Sequence, residues 1–198
     1  MLYHYTSLAK LKNILETQQL WLTKISDFKD GSEFTHTIDM ISKELSVSFD
    51  ELLHEVTKVC NNIFVSCFCS DHDKPYLWKN YGGFNIGFSK DVLMSMVNYH
   101  QRAYGYIIAN SSFLPCEYCS EKQKYFIKQA FNKCDKKKQF NIQVRLLAHL
   151  ATSYKKSEFC LEQETRIVLY LKDGSPVKTL GQGNNKVKYF ILPFRNDL

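Results

Sequence analysis

The sequence predicts an α+β fold, a sheet with helices packed around it. Three observations lead there. Runs rich in β-branched and aromatic residues recur along the chain, "IFVSCFC" at 63–69 and "ETRIVLYL" at 164–171 foremost. Between them lie segments whose apolar residues return every three or four positions, the period of an amphipathic helix. The composition, 44% hydrophobic and 14% aromatic with 23% charged residues, can fill a substantial core. No repeat, low-complexity tract or linker divides the 198 residues, so they read as one domain, 1–198.

Leu2 to Tyr5 reads as a strand, with Tyr5 facing opposite to His4. Ser7 can cap the next helix, whose apolar face is Leu8, Leu11, Ile14 and Leu15. "QLWLTKIS" alternates as a second strand, and "DFKDGSEF" is a turn marked by Asp30-Gly31. Asp30 and Glu33 read as residues that shape this turn and start a helix. Phe34, Ile38, Ile41 and Leu45 then recur at helical spacing, and "SFDELLHEVTKVCNN" is a helix with Ser48 and Glu51 at capping-box distance. "IFVSCFC" looks like a central strand. "KPYLWKNYGG", opened by proline and closed by two glycines, is a short helical turn leading into the strand "FNIGFS". Ser89 can cap "KDVLMSMVNYHQ", and "YGYIIANSSFLPCEYC" supplies one or two strands. Ser120 to Asn132 and Gln139 to Tyr154 read as helices. "ETRIVLYL" is a strong strand, "DGSP" a turn and "KVKYFILPF" the last strand. "GQGNNK" lacks the strand-before, helix-after context of a phosphate loop and reads as a plain loop.

The net charge is +6 with a pI near 8.8, which favours acidic partners such as nucleic acid. Much of it is local, in "KCDKKKQ" at 133–139 and "YKK" at 154–156, where a solvated basic helical face and a binding surface are both open readings. Seven cysteines, no leader pattern and no long apolar segment predict a reduced, cytoplasmic protein without a membrane span. Cys67 and Cys69 with His72, and Cys116 with Cys119, raise the question of zinc. The first pair sits on a strand expected to be buried and the second has no regular partner pair, so no metal site is predicted.

The chemistry concentrates in "FCLEQETRIVLYL". Read as a strand, it puts Glu162, Glu164, Arg166, Val168 and Tyr170 on one face, and Gln163, Thr165, Ile167, Leu169 and Leu171 on the other. Two carboxylates two residues apart repel unless something holds them. In one reading Arg166 pairs with Glu164 while Glu162 faces water. In the other, the two carboxylates stabilise a developing positive charge and activate a nucleophile.

An N-terminal His-Tyr-Thr strand followed by "SLAKLKNILE", an aromatic middle strand and a late Glu-x-Glu resemble the ADP-ribosyltransferase superfamily. More closely, "LYHYTSLAKLKNILETQQLWLTKISDFKDGSEF", "FVSCFCSD", "LWKNYGGFNIGFS" and "EQETRIVLYL" look like a widespread set of uncharacterised bacterial domains, distant relatives of that fold. The resemblance implies a split β-sheet core with peripheral helices and NAD as co-substrate.

It also implies roles for particular residues. His4 would match the first-strand histidine that hydrogen-bonds the ribose on the adenine side of NAD, with Thr6 in support. Tyr81 would match the aromatic that stacks on nicotinamide, with Trp78 as its competitor. Glu164 would match the catalytic glutamate, holding the 2′-hydroxyl of the nicotinamide ribose, and Glu162 would orient or deprotonate the acceptor. The acceptor would be RNA, DNA or protein, as in toxins and phage-defence effectors, and an antitoxin or partner chain is an implied companion. No arginine stands out for the NAD diphosphate; Lys24 and Lys29, near the early turn, are the candidates for that role. Hydrolysis of NAD, or binding of nucleic acid or protein without catalysis, are the competing functions on the same fold.

Overall fold

The computed structural model describes residues 1–28, 32–132, 140–181 and 186–194. The architecture is α+β. Eight strands, β1 (Leu2–Thr6), β2 (Gln19–Lys24), β3 (Ile63–Cys69), β4 (Phe84–Phe88), β5 (Ile108–Pro115), β6 (Glu164–Leu171), β7 (Lys178–Leu180) and β8 (Val187–Pro193), form one sheet. Around it lie α1 (Leu8–Thr17), α2 (Ser32–Leu45), α3 (Phe49–Cys60), α4 (Pro75–Tyr81), α5 (Lys90–Ala103), α6 (Ser120–Asn132) and α7 (Phe140–Ala151).

The caps explain where several helices start. Ser7 Oγ accepts from the Lys10 N–H, and Ser48 Oγ from that of Glu51, both at 3.4 Å. Ser89 stands at the start of α5 without a capping hydrogen bond from its side chain. In α1 only Ile14 is buried, and Leu8 and Leu15 stay exposed, so the expected four-residue apolar face is only partly used. Tyr104 to Ile107 form a turn, not strand, ahead of β5, and α7 stops at Ala151 instead of Tyr154. The three-residue β7 was not expected; it owes its existence to pairing with β8.

The sheet forks at β3. One edge of β3 pairs along its whole length with β6, from Ile63 opposite Tyr170 to Cys69 opposite Glu164, and β5 lies beyond β6. The other edge is shared. β2 pairs near one end, with Thr23 opposite Val65 and Lys24 opposite Phe64; β1 touches the other end, with Tyr3 opposite Cys69. Two arms, β1–β4 and β2–β8–β7, therefore leave the same strand. Between them the Cys67 carbonyl would lack a strand partner. His4 Nδ1–H donates to it at 2.9 Å, so a side chain closes the fork where a backbone bond is missing.

Both faces of the central strands are buried. Ile63, Val65 and Val168 pack beneath α2, α3, α6 and α7, whereas Phe64, Phe68, Ile167 and Leu169 pack with α5 and β8 on the opposite side. β6 thus has no solvent face along most of its length, which accounts for its nearly continuous apolar run. A third, smaller cluster joins Tyr5 and Cys69 to Leu77 of α4.

Tyr5 also fixes the approach to α4. Its hydroxyl donates to the Asp71 carbonyl at 2.9 Å and accepts from the Lys74 N–H at 3.1 Å. The far end of α4 is closed by Gly82 at φ +109, where a Cβ would stand 2.7 Å from Ser7 Cα and 2.8 Å from the Thr6 carbonyl. Only glycine accepts both that conformation and that approach to β1. Gly82→Ala is expected to lower unfolding free energy by about 2 kcal/mol. Gly83→Ala, with nothing within 4 Å of the added methyl, is expected to stay within about 0.5 kcal/mol of wild type. Chemical denaturation of the two variants checks this, and equal effects would remove the close-approach argument.

Candidate functional site

Glu164 opens β6 opposite Cys69, and Arg166 follows on the same face opposite Cys67. The strand does not extend back to Glu162 as the alternation predicts. Ser157–Glu162 is a 3-10 helix, and Gln163 then takes a left-handed conformation (φ 47, ψ 48). That single turn breaks the two-residue repeat, and yet both carboxylates arrive at one cation. Lys155 Nζ donates to Glu162 Oε2, and to Glu164 Oε2 at 2.7 Å. Arg166 Nε donates to Glu164 Oε1 at 2.5 Å, and its Nη1 to the Thr152 carbonyl at 3.0 Å. None of the four charged side chains belongs to a residue more than 7% exposed.

Local hydrogen bonds hold this cluster together. The Glu117 N–H donates to the Ser153 carbonyl at 2.9 Å, and the Lys155 N–H to the Glu117 carbonyl at 3.1 Å. Gln123, buried in α6, donates its amide to the carbonyls of Glu117 at 2.5 Å and Lys155 at 2.8 Å. On the other side the Cys116 N–H donates to the Glu164 carbonyl at 2.8 Å, and the Glu164 N–H to Tyr118 Oη at 2.8 Å. Cys69 Sγ–H donates to the Glu162 carbonyl at 2.7 Å. Residues 116–118 therefore act as a short ribbon between the start of β6 and the segment that carries Lys155.

The electrostatics follow. Burial alone would raise the Glu164 carboxyl; Arg166 and then Lys155 overcome it and hold the group at about 2. Burial, and then the charge of Glu164, push the Cys67 thiol up. Burial first, and the charge of Glu162 second, push the Tyr81 phenol up. Tyr81, the last residue of α4, is 52% exposed.

Glu162 and Glu164 are therefore brought together at Lys155, and Tyr81 feels the charge of Glu162. Trp78 is adjacent but engaged elsewhere: its indole N–H donates to Asp73 Oδ1 at 3.1 Å, and it lies edge-on to Tyr5 at 5.1 Å. His4 and Thr6 lie apart. Tyr3, Cys69 and Glu164 share a face through two successive pairings, which turns His4 toward Phe68 on the opposite face, at 5.7 Å between ring centroids. Thr6 is 2% exposed, and its hydroxyl has no partner among the described residues. Lys24 pairs opposite Phe64 at the far end of β3, roughly 17 Å from Cys69 by strand rise. Lys29, Asp30, Lys136, Lys137, Lys138 and the side chain of Glu33 lie outside the described residues.

Two expectations change. Glu162 does not face water: it is 5% exposed and bonded to Lys155. Nor is Lys155 part of a solvated basic face, although Lys156 beside it is more open and pairs with the exposed Glu158 at 3.8 Å. Lys155, Gln123, Tyr118, Cys67 and Cys69 also belong to this site, and no sequence motif marks them as members. One signal was available. Gln123 stands one helical turn before the fully buried Ile127, a polar residue on the apolar stripe of α6.

A family model described as "Protein of unknown function (DUF2971)" matches residues 77–167. The chain is similar to that family over a segment that contains Trp78, Tyr81, Gln123, Lys155, Glu162, Glu164 and Arg166. No curated protein and no solved structure matches significantly. Among the described residues no helix is long and apolar enough to cross a membrane.

Lys155→Met leaves the two carboxylates without the ammonium that joins them and is expected to cost about 3–5 kcal/mol of stability. Lys156→Met should change it by less than about 0.5 kcal/mol. Urea denaturation distinguishes the two, and similar losses would mean that Lys155 contributes only as a surface charge.

Acid should act in two stages. His4, His100 and His149 are held by burial below their ordinary value of 6.5. Below pH 6.5 the unfolded chain therefore binds more protons than the folded one, and stability falls. Glu164 lies at about 2 against an ordinary 4.5, so its contribution is present above 4.5 and lost as pH falls toward 2. Denaturation midpoints across this range check it: Glu164→Gln should flatten the lower stage only, and a wild type that gains stability from pH 7 to 5 would contradict it.

Proposed function

We propose that the chain transfers ADP-ribose from NAD to a macromolecule, on an ADP-ribosyltransferase-like split sheet. One observation carries this reading: two buried carboxylates, Glu162 and Glu164, joined at Lys155. The nicotinamide ring lies against Tyr81, whose half-exposed face suits a flat heterocycle. The ribose hydroxyls reach Glu164 by displacing the Lys155 ammonium. Arg166 stays in place, so Glu164 remains ionised beneath the sugar as the bond from C1′ to nicotinamide breaks and its electron pair leaves with nicotinamide. An acceptor nucleophile then bonds to C1′, and its proton passes to Glu162. His4 and Thr6 serve this site through the sheet and not by contact: β1 carries Tyr5, which anchors the approach to α4 and so to Tyr81.

A different observation favours a second reading. Both oxygens of Glu164 are already engaged by cations, which suits a non-catalytic module whose ionic core is purely structural. Nicotinamide release by the purified chain, alone and with mixed RNA, DNA and protein, separates the two. For the transferase, Glu164→Gln lowers release by about a hundredfold or more. Tyr81→Ala, at an exposed position, lowers it by about tenfold with unchanged thermal stability. Release that needs no polymer identifies an NAD glycohydrolase. No release under any condition, with no NAD binding by calorimetry, overturns the catalytic reading in favour of the module.

A further inference from the structure

At the end of β3 and β6 remote from the Glu162–Glu164 pair, two cavities lie side by side. The first, about 340 Å³, is polar and lined by Lys24, Lys172, Lys188, Asn61, Asn62 and Ser175 among others. The second, about 280 Å³, is mainly apolar, with Tyr104, Ile107, Phe190 and Leu192 in its walls beside His100 and Lys178. Val177 belongs to both, so the segment after β6 is the partition between them. That segment is held in shape: the Lys172 N–H donates to the Ile107 carbonyl at 2.8 Å, and Ser175 Oγ–H to the Lys172 carbonyl at 2.6 Å.

Both cavities carry unmet demands. In the polar one, the carboxylates at hand are already occupied by neutral donors. Asp27 Oδ2 accepts from the Lys188 N–H at 2.8 Å, and Asp173 Oδ1 from the Asn62 amide at 2.5 Å. The exposed ammonium groups of Lys172 and Lys188 line the space without an ion pair among the described residues, and Lys24 is bonded to the neutral Asn61 at 2.7 Å. In the apolar one, His100 is 1% exposed and stacked on Tyr104, at 5.5 Å and 13°. Its Nε2 lies 2.7 Å from the Pro193 carbonyl, which can only accept, so Nε2 carries the proton. Nδ1 is left as a buried acceptor with no partner among the described residues. A buried acceptor of this kind calls for an N–H or O–H donor.

We propose that the paired cavities form a nucleotide site: a base enters the apolar cavity and offers an N–H to His100 Nδ1, while its phosphate meets Lys172 and Lys188 across the Val177 partition. Apolar and aromatic walls take the ring, and the lysines take the anion. Together the two volumes fall within the range of small-ligand sites, roughly 300–1,000 Å³. The same chemistry is offered by a free nucleotide and by one unit of a single-stranded nucleic acid. The site is separate from the carboxylate pair, and its binding is measured without NAD, so its fate is independent of the catalytic reading.

The test uses the full chain with adenosine monophosphate, adenosine and a short fluorescein-labelled single-stranded RNA. Adenosine monophosphate is expected to shift the amide resonances of Lys172, Val177 and Ile107 and the ¹⁵N resonance of His100 Nδ1. The double variant Lys172→Glu/Lys188→Glu, at two exposed positions, should weaken the monophosphate about tenfold or more and leave adenosine unaffected. If the RNA competes, and the double variant reduces the salt dependence of its binding by about two phosphate contacts, the natural ligand is single-stranded nucleic acid. If the monophosphate binds and RNA does not compete, the ligand is a free nucleotide. Shifts confined to the surroundings of Tyr81 and Glu164, an unchanged affinity in the double variant, or no binding by either phosphate-bearing probe would each overturn the proposal.

Discussion

The ammonium of Lys155, shared by Glu162 and Glu164, is the interaction that the site end of the molecule is arranged around. Two carboxylates under cover repel each other and lose their hydration, a combination that a fold does not tolerate without a cation between them. The cation comes from a separate stretch of chain, after α7, and is delivered by a ribbon of backbone bonds through Glu117 and by the amide of Gln123. Arg166 completes the balance from within β6 and ties its other end to the Thr152 carbonyl. The cluster is therefore a consequence of tertiary structure. In turn it locks β6, residues 116–118 and the segment at 152–155 to one another.

The N-terminal strand serves the same end from the opposite side of β3. Its polar and aromatic character is needed because β1 meets β3 at a single pair and then diverges. His4 closes the opening by bonding to the Cys67 carbonyl, and Tyr5 gathers the loop that leads into α4. Gly82 then lets the end of α4 lie against Thr6 and Ser7. Tyr81, the residue just before Gly82, is positioned by this chain of contacts. A histidine at the start of the chain thus acts on the site by shaping the sheet from which the site is hung.

The elements were legible because each is written locally. The β-branched run of β6, the Ser48 cap and the spacing from Phe34 to Leu45 need no information from elsewhere in the chain. What the sequence withheld depends on register or on a break in it. Alternation separates His4 from Tyr5 but does not say which of them shares a face with Glu164; that is decided by two pairings across β3. Alternation also carries Glu162 onto the strand, because nothing marks Gln163 for a left-handed conformation as glycine would. Lys155 beside Lys156 reads as surface, since its burial is set by partners seven and nine residues away and by a ribbon more than thirty residues upstream. Short β7 exists only because β8 is there to pair with it.

The two cations of the cluster differ in a way that bears on any chemistry at Glu164. Arg166 sits within a buried strand, with a planar head fixed at once by a carboxylate and by a backbone carbonyl; moving it would unpair both. Lys155 carries a compact charge on a flexible stem, and its ammonium spans the gap between the two carboxylates. A ligand bearing hydroxyl donors can therefore take the place of the lysine without leaving Glu164 uncompensated, since Arg166 remains. The reverse exchange would strand a buried guanidinium. If the cluster opens, it opens on the Lys155 side. Stability and access are thereby divided between two residues: the arginine holds Glu164 ionised, and the lysine holds the pair closed.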